Sequence, residues 1–163
     1  MNESSHLALP LSADAHCEGV LIRAGAVGST AGAASGKSVI QVTWARHLDE
    51  VREAQRLRFE VFVNEMGARL TTPIAGHDVD LFDDYCEHLL LRDAQSRQVI
   101  GTYRVLTPAQ AKRIGGLYSD TEFDLTRLRA LRPRMVKLGR SCVHPDHRHG
   151  GVIMALWSAL GGF

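Results

Sequence analysis

The sequence predicts one mixed α/β (α+β) domain, and three observations predict it. A run of β-branched and aromatic residues is followed by an amphipathic helical pattern. Two apolar runs flank a polar turn of hairpin length. A glycine-marked loop separates a late strand from an apolar helix. The resulting order is β, α, β, β, short helices, β, loop, α, with no internal repeat. At 163 residues the chain suits one domain rather than two.

Residues 1–37 differ in kind from the rest. Gly25 to Ser38 reads GAVGSTAGAASGKS, small residues with little to bury, so 1–37 is expected to be a disordered or flexible tail. Ala31 to Ser38 also fits a relaxed phosphate-loop pattern. A true phosphate loop opens a helix with its Lys-Ser, whereas Gly36-Lys37-Ser38 runs into strand-like Val39-Ile40-Gln41-Val42. The motif is therefore read as linker. Val39–Trp44 is the first predicted strand. In the helix that follows, to Gly67, Leu48, Val51, Ala54, Leu57, Val61 and Phe62 recur at three- and four-residue steps. Asp49 is expected near its N-cap and Gly67 just beyond its end.

An acidic loop comes next, with Asp78, Asp80, Asp83, Asp84 and Glu87. His88–Arg92 and Val99–Leu106 form the predicted hairpin around DAQSRQ. Pro108 opens a short helix at a permitted first-turn position. Tyr118–Leu125 is expected to be extended, Thr126–Leu131 to form a helical turn, and Met135–Val143 to be a strand. His144–Gly151 is a loop, and Val152–Leu160 begins the last helix. Its apolar positions Val152, Ile153, Leu156, Trp157 and Leu160 are expected to need a partner surface.

Composition narrows the function. Lys plus Arg is 19 against 18 for Asp plus Glu, which argues against nucleic acid as the main partner. Cys17, Cys86 and Cys142 are odd in number and widely spaced, and read as reduced thiols of a cytoplasmic protein rather than a disulfide framework. No apolar run approaches the length of a membrane span. Met1–Ala15 lacks the basic and apolar regions of a secretory signal.

Three constellations remain. His144, His147 and His149 sit in one short loop without an evident fourth ligand, so no metal is expected. The same loop, ending Arg148-His149-Gly150-Gly151, places free N–H groups at a helix start, an arrangement suited to phosphate. The acidic loop suits a cationic substrate, and Arg104 and Arg140 suit a carboxylate or phosphate. Structural ion pairs are the plainer alternative for that last set.

Taken as a series, EAQRLRFEVFVNEMGA (53–68), DVDLFDDYCEHLLL (78–91), VIGTYRVL (99–106), YSDTEFDL (118–125) and LGRSCVHPDHR (138–148) resemble the L-ornithine Nα-acyltransferases of ornithine-lipid synthesis. That group is similar to the acyl-homoserine-lactone synthases within a GNAT-like superfamily. The resemblance spans Val39 to Phe163. It implies a GNAT-like mixed, mostly antiparallel sheet flanked by helices, with C-terminal strands beyond Phe163 missing. It implies transfer of a 3-hydroxyacyl chain from acyl carrier protein to the α-amine of L-ornithine, with no cofactor and no metal. Peripheral contact with the inner face of the cytoplasmic membrane is a further expectation.

By position, the resemblance implies Arg58, Phe62, Arg104 and Ser141 in substrate binding. Asp80, Asp83, Glu65 and Arg140 are the implied catalytic candidates, with the three carboxylates unranked as proton acceptors. Val143, Arg148, Gly150 and Gly151 are the implied acyl-donor site. Two departures stand out. The donor turn runs Gly150-Gly151-Val152-Ile153, ending on a large residue where the family has a small one. Lys137 occupies a position that is typically acidic. Acyl-homoserine-lactone synthesis, long-chain N-acyl amino acid synthesis and a non-catalytic remnant stay open as alternatives.

Overall fold

The computed structural model describes residues 20–23 and 39–163. Five strands form one antiparallel sheet in sequential order: β1 (Val20–Arg23), β2 (Val39–Trp44), β3 (Glu87–Asp93), β4 (Val99–Leu106) and β5 (Lys137–Val143). Strand β1 lies inside the stretch expected to be a flexible tail. It pairs with β2 in the register Val20 to Val42, so for these four residues the expectation is corrected. The rest of 1–37 and the phosphate-loop-like Ala31–Lys37 lie outside the described residues.

Helix α1 (Leu48–Phe59) covers one face of the sheet, and α3 (Gly150–Gly161) covers the other. Ala54, Leu57 and Val61 pack with Leu90, Val99 and Cys142 on the first face. Val152, Ala155 and Leu156 pack with Ile40, Val42, Leu89, Leu91 and Ile100 on the second. Strand β3 is apolar without alternation through Leu89-Leu90-Leu91 because each face meets a helix. The stripe that α3 buries is Val152–Ala155–Leu156, so part of its apolar surface finds its partner in the sheet. Ile153 is 43% exposed, and Trp157, 57% exposed, meets β4 edge-on at the Tyr103 ring, 6.2 Å between centroids.

Helix α1 is capped at His47, and Asp49 lies in its first turn, near the cap as expected. The Glu50 carboxylate reaches back to accept from the His47 and Arg46 N–H groups at 3.3 and 2.7 Å. A π-helical turn, Glu60–Glu65, continues the helix, and Gly67 then takes the left-handed φ of +72° that ends it. At the β3–β4 hairpin, the Asp93 carboxylate accepts from the N–H groups of Gln95 and Ser96 at 3.1 and 2.8 Å. Helix α2 (Pro108–Ile114) is capped by Thr107, whose hydroxyl accepts from the Gln110 N–H at 3.3 Å. The expected extended run after it is corrected: Tyr118–Thr121 is a 3₁₀ turn. The Asp120 carboxylate accepts from the Leu117 N–H at 2.8 Å and curls the chain back on itself.

Candidate active site

Arg58 is fully buried on the sheet-facing side of α1. A guanidinium cannot be left there unpaired. It is paired by the loop that follows the π-helical turn, and the pairing extends into a closed ring. Arg58 Nε lies 3.1 Å from Asp78 Oδ2, and Asp78 Oδ2 lies 3.1 Å from Arg140 Nε. Arg140 Nη2 donates to Asp80 Oδ2 at 3.2 Å, and Asp80 Oδ1 accepts from Arg104 Nη1 at 2.7 Å. Arg104 Nη1 also donates to Asp83 Oδ1 at 2.9 Å. Asp83 closes the ring by accepting from Arg58 Nη2 at 2.8 and 2.9 Å.

Three guanidiniums and three carboxylates thus alternate, and their charges cancel. The ring fastens α1, the acidic loop, β4 and β5 to one another. Gln55, one helical turn before Arg58, donates to Asp83 Oδ2 at 3.1 Å. His88 Nε2 donates to the Asp83 carbonyl at 3.1 Å. Burial pushes the His88 pKa down, so the ring stays neutral. Burial alone would raise the Asp83 carboxyl, but Arg58 and Arg104 more than reverse this and hold it at about 2. Asp83 is therefore a permanent anion, occupied on both oxygens. Asp80 is the more open of the two named loop carboxylates, with its side chain 25% exposed.

Arg140 reaches the ring through a break in the sheet. Thr102 pairs with Cys142 and Arg104 with Gly139, so Arg140 and Ser141 together oppose Tyr103. This β-bulge puts Arg140 at φ +49°, a left-handed conformation that a non-glycine residue adopts at a cost. The Arg140 guanidinium sits 5.9 Å from the Phe62 ring centre. Arg58, Phe62, Asp80, Asp83, Arg104 and Arg140, spread over 83 positions of sequence, thereby meet in one place. Ser141 lies in the same bulge with its side chain exposed.

The donor-side residues form a second, adjacent group. Arg148 clasps Glu65 through both guanidinium nitrogens at 2.5 Å, and its Nε donates to the Val143 carbonyl at 3.1 Å. The hydrogen bonding of Arg148 to the Glu65 carboxylate lowers the Glu65 pKa. Glu65 thus stands with the donor turn rather than with the aspartates. Gly150 and Gly151 open α3 immediately beyond. His144–His147 is a polar strand-to-helix link containing a 3₁₀ turn, Pro145–His147.

Lys137 lies at the other end of β5. Its ammonium sits 5.2 Å over the Tyr118 ring, and with Phe82, Cys86 and Arg104 it lines a small cleft beside the ring. Desolvation first, then the charge of Arg104, lowers its pKa. Gln55 and His88 join the ring but fall outside the residues singled out from the sequence, whereas Asp78, named there only as part of the acidic loop, is one of the ring's three carboxylates. The signals were present: Gln55 is at i−3 from Arg58, and His88 interrupts an apolar strand.

Comparison with known proteins addresses the family and the fold. Residues 57–158 match the domain family described as acetyltransferase (GNAT) domain. The chain is 42% identical over 132 residues to an L-ornithine N(alpha)-acyltransferase of Rhodobacter capsulatus, covering 76% of this chain and 50% of that protein. It is 40% identical over 127 residues to the protein of the same name in Brucella abortus, covering 72% and 45%. The chain therefore spans about half the length of the relatives it matches. Among solved structures, the AHL synthase LasI superposes with a TM-score of 0.51 at 17% identity, over 76% of this chain and 64% of that one, a likeness of fold.

Proposed function

This chain belongs to the GNAT acetyltransferase-domain family, and from that premise we propose that it carries the N-acyl transfer site of an L-ornithine Nα-acyltransferase. The donor would be a 3-hydroxyacyl thioester on acyl carrier protein, the product a lyso-ornithine lipid, and neither metal nor other cofactor is required. The names of the relatives supply ornithine as acceptor. The observation that carries the site assignment is the Arg140 bulge beside the alternating Arg–Asp ring.

The reaction asks for three things. The attacking amine must lose a proton, the carbonyl must be polarised, and the donor must be held. In this reading the thioester carbonyl lies against the bulge, where the register shift withdraws backbone groups of β5 from the regular ladder. The N–C bond forms as the C–S bond breaks, and the departing thiolate takes up a proton released by the amine. Asp80, partly exposed and reached by Arg104 and Arg140, is the carboxylate that draws the cationic acceptor in. Asp83, enclosed and held at about 2, serves as the frame. Phosphate of the pantetheine arm would meet the Arg148–Gly151 helix start, competing with Glu65 for Arg148.

The test is direct. The full-length protein is incubated with 3-hydroxyacyl-carrier protein and ornithine, and the lipid is identified by mass spectrometry. Arg140→Ala and Asp80→Asn should each lower acyl-ornithine formation at least tenfold, the order expected for losing one positioned polar group. Unchanged formation in both variants would refute the site assignment. Product on homoserine lactone or other amino acids instead of ornithine would refute the acceptor.

A further inference from the structure

Charge is not spread evenly over this chain. Residues 108–137, from α2 to the start of β5, carry seven lysines and arginines against three acids. The remainder of the chain carries an excess of acid. The same segment presents exposed Tyr118, Phe123, Leu128, Leu131 and Val136, with Phe123 at 64% exposure. Between them, Arg127, Arg129 and Arg134 are exposed and enter no ion pair among the described residues. Of the three acids, Asp120 is bound to Arg132 and Asp124 accepts from the Thr126 N–H at 2.9 Å, which leaves Glu122 as the only one facing outward without a cation or a backbone donor. A cleft of about 580 Å³ opens alongside, lined mostly by apolar residues including Leu117, Pro133 and Met135, with Lys112 and Arg132 on its wall.

We propose that this 117–136 face docks on an anionic lipid bilayer. Short 3₁₀ turns at Tyr118–Thr121, Thr126–Leu128 and Arg132–Arg134 hold the backbone close to the surface and turn successive side chains outward. Aromatic and leucine side chains then reach the acyl boundary while the arginines stay at headgroup level, the arrangement by which interfacial segments bind membranes. A purely acidic protein partner would be recognised by the arginines alone. It would leave Phe123, Leu128 and Leu131 in water, which is why the mixed character favours lipid.

The experiment is co-sedimentation of the whole chain with vesicles of pure phosphatidylcholine and of phosphatidylcholine containing about one third phosphatidylglycerol, the latter supplying the anionic surface. Binding is expected to the anionic vesicles alone, weakening with salt. Replacing Arg127, Arg129 and Arg134 with Ala should lower partitioning about fivefold per residue. Phe123→Ser with Leu131→Ser should lower it about tenfold or more. Met154→Ser, on exposed α3 surface away from this segment, should leave it unchanged. Absence of wild-type binding to anionic vesicles would overturn the proposal. So would full binding by the Phe123/Leu131 variant, which would mark a charge-only surface for an acidic protein. The outcome is independent of the acyl-transfer assay, so either reading can fail without the other.

Discussion

Replacing Asp83 with Asn tests whether the Arg–Asp ring is the fastening of the fold. The carboxylate accepts from Arg58, Arg104 and Gln55 at 2.8–3.1 Å and is nearly inaccessible to water. Its drop from 3.8 to about 2 corresponds to roughly 2 kcal/mol of stability at neutral pH. Removing one partner of a buried ion network strands the others and typically costs about 3–5 kcal/mol. The amide oxygen still accepts one guanidinium bond, so the expected loss is roughly 2–5 kcal/mol, or a fall in Tm of about 5–20 °C for a chain of this size. Thermal melts followed by circular dichroism measure it. The pH dependence supplies a second reading. A depressed carboxyl stabilises the fold fully above its unfolded pKa and loses that contribution as pH falls through its folded value. The wild type should therefore lose this increment between about pH 4 and pH 2, and the Asn variant should not. A variant Tm within about 2 °C of wild type at neutral pH, or a gap that stays constant down to about pH 2, would refute the structural role assigned to the ring.

Other predictions follow from the packing and the donor turn. Leu156→Ala should cost about 2–5 kcal/mol in urea unfolding, because its side chain is buried between α3 and the sheet; Ile153→Ala, three residues earlier and 43% exposed, should stay within about 1 kcal/mol. Glu65→Gln releases Arg148 from its clasp, so the concentration of phosphopantetheine needed to half-protect the protein in thermal-shift titrations should fall severalfold while the melting point of the free protein barely moves. Burial raises the Cys142 thiol to about 12, so peptide mapping after brief alkylation at neutral pH should find it unlabelled in the folded protein and labelled in urea.

Sequence reading went furthest where local pattern and physics coincide. Strand β2 and the hairpin of β3 and β4 were legible because β-branched runs are bounded by polar turn residues. Helix α2 was legible from its proline start and glycine end. Tyr118–Thr121 was misread because its apolar and polar residues carry no decisive period, and one side-chain acceptor, Asp120, sets the turn. Helix α3 shows the same limit differently. Its apolar residues surround much of the helix, so the sequence could not say which stripe faces the sheet; the tertiary structure buries Val152, Ala155 and Leu156.

For the ring, the sequence by itself placed an acidic loop and two strand arginines, Arg104 and Arg140, in one chain, and the family resemblance added Arg58 and Phe62. It left open whether Asp80 and Asp83 face a substrate or serve as structural ion pairs, and it did not mark Gln55 or His88. Only the tertiary structure decided what these side chains do to one another. Whether an aspartate is a free base or a bound counter-ion depends on which guanidinium lies within 3 Å and how much water is excluded. Both are set by the meeting of α1, the acidic loop, β4 and the bulged β5. That meeting made Asp83 a fixed anion, left Asp80 the more open carboxylate, and carried Glu65 away to Arg148.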